Sequence, residues 1–164
     1  LITGIPANGG YFVINYEDKI IKRIYWQKNP VEINTNFPFY HLFYSYFNGE
    51  KVDFSNISID LSDLPPFYKR VYEVARRIPY GKVTSYKILA EKVNSKNGAR
   101  AIGQAMAKNP YLLIIPCHRV IKDNGEIGKF SLGEDFKMWL LKLEGVEDII
   151  YEGRKILSNR YWWY

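Results

Sequence analysis

Leu112-Leu113-Ile114-Ile115-Pro116-Cys117-His118-Arg119-Val120-Ile121 contains the chain's only cysteine, and every other segment can be read in relation to it. Four β-prone apolar residues lead into the thiol, so a short active-site strand is expected to carry it. His118 and Arg119 follow at once. The thiolate is the nucleophilic form of cysteine, and positive charge beside it lowers the thiol pKa. Two readings stand side by side. In one, Cys117 is an activated nucleophile. In the other it is a small buried hydrophobe, the commoner fate of a lone cysteine, with a histidine beside it by chance. The difference lies in whether the rest of the chain supplies a substrate site.

Composition narrows the classes. With 47% hydrophobic and 24% charged residues in 164, the chain can bury a core and is not mostly disordered. One cysteine excludes an internal disulfide and any metal site needing two or more thiolates. With His41 and His118 the only histidines, no metal constellation is visible, and neither a metal nor a cofactor is expected. A net charge of +6 permits an anionic partner without requiring one. No apolar run approaches a membrane span and no secretory signal opens the sequence, so a soluble, cytoplasmic, monomeric protein without a membrane partner is the expectation.

Residues 11–26 read as a β-hairpin: Tyr11 to Tyr16 and Ile20 to Trp26 are β-branched and aromatic, and Glu17-Asp18-Lys19 makes the turn. Pro38 suits a first helical turn. Phe39, Leu42, Phe43, Tyr46 and Phe47 then follow at helical spacing and Gly49 stops the helix. Lys51 to Leu61 alternates enough to suggest a strand. Together these predict an α+β N-terminal domain over residues 1–62 with an antiparallel sheet and a structural role. His41 reads as structural.

Ser62-Asp63-Leu64-Pro65-Pro66 marks a boundary, after which residues 63–164 form a mostly helical domain. A helix carries Phe67, Val71, Val74, Ala75 and Ile78 on one face. Pro79-Tyr80-Gly81 turns the chain, Lys82-Val83-Thr84 is extended, and Ser85 can cap a helix with Tyr86, Leu89, Ala90 and Val93 inward. After the polar turn Asn94–Gly98, a helix from about Ala99 to Lys108 is built largely of small residues, with Arg100 near its start. Two short helices joined by a tight turn suggest a helix-turn-helix, although helical hairpins are common in ordinary packing. Small side chains allow close approach to a nucleic-acid groove or to another helix. Residues 122–133 form a turn-rich loop. Glu134 or Asp135 opens an amphipathic helix with Phe136, Trp139, Leu140 and Leu143 inward, ending at Glu144-Gly145. The tail Arg160-Tyr161-Trp162-Trp163-Tyr164 is too aromatic to stay free and should pack on the body.

Ile115-Pro116-Cys117-His118-Arg119-Val120 resembles the active-site signature of the O6-alkylguanine-DNA alkyltransferases. The resemblance runs co-linearly over residues 79–144, through PYGKVTSY and GARAIGQAMAKNP to the helix with Trp139-Leu140-Leu141 and Glu144-Gly145. It implies repair of DNA by direct reversal. A flipped O6-alkylguanine, and O4-alkylthymine as well, passes its alkyl group irreversibly to Cys117, which inactivates the protein in a single turnover. His118 would accept the thiol proton through a water, with Glu144 orienting its ring, and Arg119 would support the turn by salt bridge or hydrogen bonds, leaving His118 to activate the thiol alone. Tyr86 would donate to N3 of the leaving base, and the Ser131 N–H would face O6. The Cys117 and Val120 carbonyls would read the exocyclic amine, Met106 would form an apolar wall, Asn109 would tie helix to active-site turn, and Phe130 would line the pocket. Arg100 would enter the stack of double-stranded DNA through the minor groove, with Ala99, Ala101, Gly103 and Ser85 at the DNA surface.

The pattern departs from the family in places. Phe130 stands where many members have Tyr, losing a hydroxyl donor, and Leu132 stands where Gly is common, which should narrow the pocket. The cysteines of the N-terminal zinc site found in some members are missing. The reactive position is Cys rather than the Trp of the relatives that bind damage without repairing it. Two other readings compete: a DNA-binding module without chemistry, and a Cys-His hydrolase with turnover.

Overall fold

The computed structural model describes residues 1–151, 154–157 and 159–164. They divide into two compact units, Leu1–Leu64 with Pro110–Ile114, and Pro65–Asn109 with Ile115–Tyr164.

Local turn chemistry builds the sheet of the first unit. Asn8 and Gly9 both adopt positive φ, 55° and 77°, as a two-residue hairpin turn of the mirror-image type requires. They join β1 (Ile2–Ala7) to β2 (Gly10–Glu17), with Ala7 opposite Gly10. Asp18, at φ 53°, turns β2 into β3 (Ile20–Gln27), also antiparallel. The β2–β3 hairpin is the expected one. β1 adds a strand to that expected hairpin, and its Asn-Gly dipeptide is a strong hairpin signal. Phe12, Ile14 and Tyr16 of β2 are buried, and Phe12 stacks on Phe47 at 4.8 Å. Phe47 ends α1 (Tyr40–Phe47).

The buried face of α1 is Tyr40, Phe43 and Tyr46, whereas Leu42, expected inward, is 38% exposed. His41 is exposed and packs edge-to-face with Tyr40, ring centroids 6.0 Å apart. The strand expected over Lys51–Leu61 shrinks to β4 (Ser58–Ile59), parallel to β3. Asp53 explains the loss. Its carboxylate accepts from the Ser55 N–H at 2.8 Å, a local turn that competes with strand pairing.

The apolar run before Cys117 is not a strand either. Tyr111 bridges to Ile24 of β3, and the Ile24 N–H donates to the Pro110 carbonyl at 2.9 Å. Leu113 then turns with φ of 75°. A leucine there costs about 1–2 kcal/mol. Burial of Tyr111 through Ile115, every one of them covered, outweighs that cost and their preference for extended backbone.

In the second unit, α2 (Pro66–Ala75) starts with a proline at its first position and buries Val71, Tyr72 and Ala75. The Tyr72 hydroxyl donates to the Ala105 carbonyl at 2.7 Å, fixing α2 against α4 (Gly98–Ala107). β5 (Thr84–Ser85) leads into α3 (Tyr86–Lys92), and the Ser85 hydroxyl accepts from the Ile88 N–H at 3.0 Å as an N-cap. After Cys117–Arg119, a single 3-10 turn, β6 (Val120–Ile121) pairs in parallel with β5. The short strand therefore follows the cysteine instead of preceding it.

α5 (Glu134–Leu143) closes the unit, followed by the antiparallel pair β7 (Asp148–Tyr151) and β8 (Arg154–Leu157). Val83, Ile121, Ile127, Met138, Leu141, Val146 and Tyr161 form a core cluster on which Trp162 packs. The Val83 N–H donates to the Tyr161 carbonyl at 2.8 Å, and the Trp163 N–H donates to the Val83 carbonyl at 2.6 Å. The aromatic tail is thus packed on the body, as its composition implied. No helix among the described residues is long and apolar enough to cross a membrane.

Candidate active site

The 3-10 turn begins at Cys117, whose own N–H donates to the Ile115 carbonyl at 2.8 Å. The side-chain amide of Asn109, just past α4, donates to the same carbonyl at 2.7 Å and hydrogen-bonds to the thiol. The turn is thereby tied to the helix, as expected for Asn109. Cys117 is 4% exposed, yet it lies in the wall of a cavity of about 700 Å³ with Tyr86, Ala99, Arg100, Gly103, Met106, Phe130 and Ser131. A volume of that size accommodates a small organic group such as a nucleobase.

Burial pushes the thiol pKa up, against the opposing pull of the Asn109 hydrogen bond and the Lys137 ammonium. The resting thiol is protonated and needs a base. His118 is suited to that task. Burial pushes its pKa down, Glu144 pulls the other way, and Arg119 and Lys137 oppose its charging. At neutral pH the imidazole is therefore uncharged and able to accept a proton.

Glu144, at the C-terminal end of α5, organises the buried charges. It takes the His118 Nε2 at 2.6 Å, and accepts from Arg119 Nε at 2.8 Å and from Arg119 Nη2 at 3.0 Å. It also accepts from the Gly81 N–H at 3.1 Å. Burial alone would raise the Glu144 pKa, but the positive partners hold it well below the usual carboxylate range. With His118 neutral, the Arg119 guanidinium is the group that keeps Glu144 ionised. The Arg119 Nη1 donates to the Ile78 carbonyl at 2.8 Å. Arg119 thus supports the turn through a salt bridge and does not face the thiol as an activating cation. With Nε2 given to Glu144, Nδ1 is the nitrogen that remains to serve the thiol.

The wall formed by α4 is bare. A side chain added at Gly103 would meet nothing within 4 Å, so packing within the chain does not require glycine there. Glycine at a helical position costs about 1 kcal/mol relative to alanine. Ala99, Gly103, Met106 and Ala107 face the cavity with Arg100 at its mouth, while Ala101 lies on the flank, where Lys96, Asn97 and Arg70 border a separate depression.

Three expected placements change. Ser85 is fully buried, its hydroxyl spent on the α3 cap and on Asp123 at 3.3 Å. The cap geometry leaves it no reach to an outside ligand. The Val120 carbonyl, expected to be open to a base amine, accepts from Lys137 Nζ at 2.6 Å. Leu132 does not border the cavity, so the expected narrowing is not visible there, whereas Phe130 does line it.

Lys137 was missed in the sequence reading, as were Gln104, Ala107, Lys122 and Lys129 in the cavity wall. Lys137 is completely buried, and burial pushes its pKa down to about 8. Its signal was present. Lys137, Leu140, Leu141 and Glu144 fall at i, i+3, i+4 and i+7, one stripe of α5. The apolar residues of that stripe mark it as the buried face, and Lys137 shares the face with them. No cluster of three or more metal-ligating side chains occurs among the described residues.

Residues 66–146 match the family model of the 6-O-methylguanine DNA methyltransferase DNA-binding domain. The methylated-DNA–protein-cysteine methyltransferase of Sulfolobus acidocaldarius is 46% identical over 120 residues, covering 73% of this chain and 74% of that one. That of Saccharolobus islandicus is 45% identical over 146 residues, 89% of either chain. The crystal structure of Mycobacterium tuberculosis OGT in complex with DNA superimposes with a TM-score of 0.77 at 28% identity, covering 87% of this chain and 91% of that one. A protonated thiol beside a neutral histidine in a base-sized cavity agrees with these likenesses, and the chain belongs to the methylated-DNA–protein-cysteine methyltransferase family.

Proposed function

We propose that Cys117 takes the methyl group directly from O6 of methylguanine in double-stranded DNA, and that the resulting thioether ends the protein's activity. One observation carries the assignment. The family transfers methyl groups to a cysteine of the protein itself, this chain has a single cysteine, and that cysteine lines the base-sized cavity.

The remaining roles follow from chemistry. A water passes the thiol proton to His118 Nδ1, and Glu144 holds the imidazole in the tautomer with its proton on Nε2. The sulfur attacks the methyl carbon, and the C–O6 bond breaks with its electron pair left on the guanine. Tyr86 donates to N3 and stabilises that charge. Its pKa, pushed up to about 12 by burial and then by Cys117, keeps it protonated for the task. The Ser131 N–H meets O6, and the carbonyls of Cys117 and Val120 meet the exocyclic amine, Val120 through its second lone pair. O4-methylthymine presents the same kind of leaving oxygen.

Guanine must leave the duplex to reach the thiol, at an unstacking cost of a few kcal/mol. Arg100, exposed at the cavity mouth, fills the vacated place in the stack. Ala99 and Gly103 give α4 the low profile that a minor groove admits. The second unit carries both DNA binding and transfer, and the first serves a structural role. Intact-mass measurement after incubation with methylated duplex tests the assignment. One methyl per chain, located on Cys117 and absent from Cys117→Ala, is expected. An unchanged mass refutes it.

A further inference from the structure

Lys137 presents a problem that the roles above leave unsolved. A fully buried ammonium is expensive unless it is paired. Among the described residues no carboxylate lies within salt-bridge distance of it. Its Nζ instead donates to the Val120 carbonyl at 2.6 Å, the Lys129 carbonyl at 3.3 Å and the Tyr86 hydroxyl at 3.4 Å. The Tyr86 hydroxyl in turn donates onward, here to the Lys129 carbonyl at 3.4 Å. The donor direction therefore runs from Lys137 to Tyr86 and out of Tyr86. We infer that Lys137 is a positioning residue that acts through Tyr86: it orients the phenol and resupplies the proton that Tyr86 gives to the departing guanine.

The inference rests on the reading of Tyr86 as leaving-group donor. Protons and charge balance. The thiol proton goes to His118 by way of a water, the S–C bond forms and the C–O6 bond breaks. The Tyr86 proton moves to guanine N3, and a Lys137 proton replaces it on the phenol oxygen. Guanine leaves neutral as its N3–H tautomer, which water converts to the N1–H form. His118 ends charged, Lys137 ends as a neutral amine, and the net charge of the site is unchanged. The order of acidities supports the last transfer: the phenolate of a tyrosine whose pKa is pushed up to about 12 takes a proton readily from an ammonium pushed down to about 8.

The two halves of the reaction also assist each other. Lys137 is among the charges that oppose protonation of His118. Once Lys137 has given up its proton, that repulsion is gone. A site holding both an imidazolium and an ammonium is avoided.

The groups facing Lys137 are Tyr86 of α3, Cys117 and His118 of the 3-10 turn, and Glu134 on its own helix. Glu134, the one carboxylate among these groups, is not within salt-bridge distance of Lys137. Substitution by methionine removes the charge at similar volume but leaves the Val120 carbonyl without its Lys137 donor, so the urea midpoint of each variant is read beside its rate to separate loss of fold from loss of the relay.

The test uses full-length protein and single-turnover methyl transfer from O6-methylguanine duplex, read by intact mass. Wild type, Lys137→Met, Tyr86→Phe and the double variant are compared across pH. Each single variant is expected to slow transfer by about 10²–10⁴-fold, the usual range for a lost proton donor. The double variant should be no slower than the worse single one, because the two residues act in series. Wild type should lose rate as pH rises through about 8, where Lys137 gives up its proton, and Lys137→Met should lack that alkaline fall. Multiplicative losses in the double variant, or the same alkaline fall in Lys137→Met, overturn the inference. Failure of wild type to gain a methyl on Cys117 instead overturns the proposed function itself.

Discussion

Replacing Glu144 by glutamine separates charge from shape at the centre of the site. Glu144 accepts from four donors at 2.6–3.1 Å, supplied by His118, Arg119 and the Gly81 backbone. A glutamine has one acceptor oxygen and an amide that donates, so it cannot receive all four. The Arg119 guanidinium is left buried without its counter-charge. Breaking a buried pair from one side costs about 3–5 kcal/mol, a large part of the 5–15 kcal/mol typical of a whole domain (approximate range).

The chemistry fails for a separate reason. Where the amide N–H₂ faces His118, the ring must accept on Nε2 and carry its proton on Nδ1, so Nδ1 can no longer take the proton from the thiol. A lost general base slows a reaction by about 10²–10⁴-fold. Urea unfolding reads the first effect, and single-turnover methyl transfer followed over pH reads the second. Acid unfolding adds a sign. Folding holds the Glu144 pKa below its ordinary value of 4.5, so its contribution is full above that pH and lost as pH falls towards the folded value. Glu144→Gln should lose that part of the acid sensitivity. Wild-type stability together with an unaltered pH–rate profile would falsify the whole account of the Glu144 cluster.

Arg100→Ala should slow transfer from duplex DNA more than transfer from the free methylated base, because only the duplex needs a flipped base replaced in its stack; equal losses in single-turnover rates count against this. Asn109→Ala removes a hydrogen bond that lowers the Cys117 pKa, so alkylation by iodoacetamide should shift to higher pH, and an unshifted profile means that the amide does not act on the thiol. Tyr161→Ala empties a place in the core cluster with Val83, Ile121 and Leu141. Urea melts should show a loss of about 3 kcal/mol, typical of truncating a buried aromatic residue, and a loss under about 0.5 kcal/mol would mean that the tail is not part of the core.

Much of the site is legible locally. Cys117, His118 and Arg119 are adjacent, Ser85 caps its own helix, and the small residues of α4 recur within one short element. These depend on contacts a few residues apart. The misreadings have a common cause. Leu112–Ile115 carries strand propensity, but its backbone bonds with Ile24 and its burial impose a turn at Leu113. Val52–Ile59 alternates, but the Asp53 side chain captures the backbone first. Propensity is a weak local term, and a few buried contacts exceed it.

The amino-acid order was enough to single out a nucleophile, a helix pair and a terminal carboxylate in register with one another. It could not show which charge each buried group answers to. Glu144 meets His118 from 26 residues away, Arg119 from 25 and Gly81 from 63; Lys137 meets Tyr86 from 51. The pKa values that make a neutral base and a protonated phenol come from desolvation and from charges brought together only when the chain folds. The family resemblance implies that Arg119 supports the turn, but only the fold names Glu144 as its partner and sets Lys137 as a buried charge beside Tyr86, because Coulomb energies depend on distance in space and are indifferent to separation along the chain.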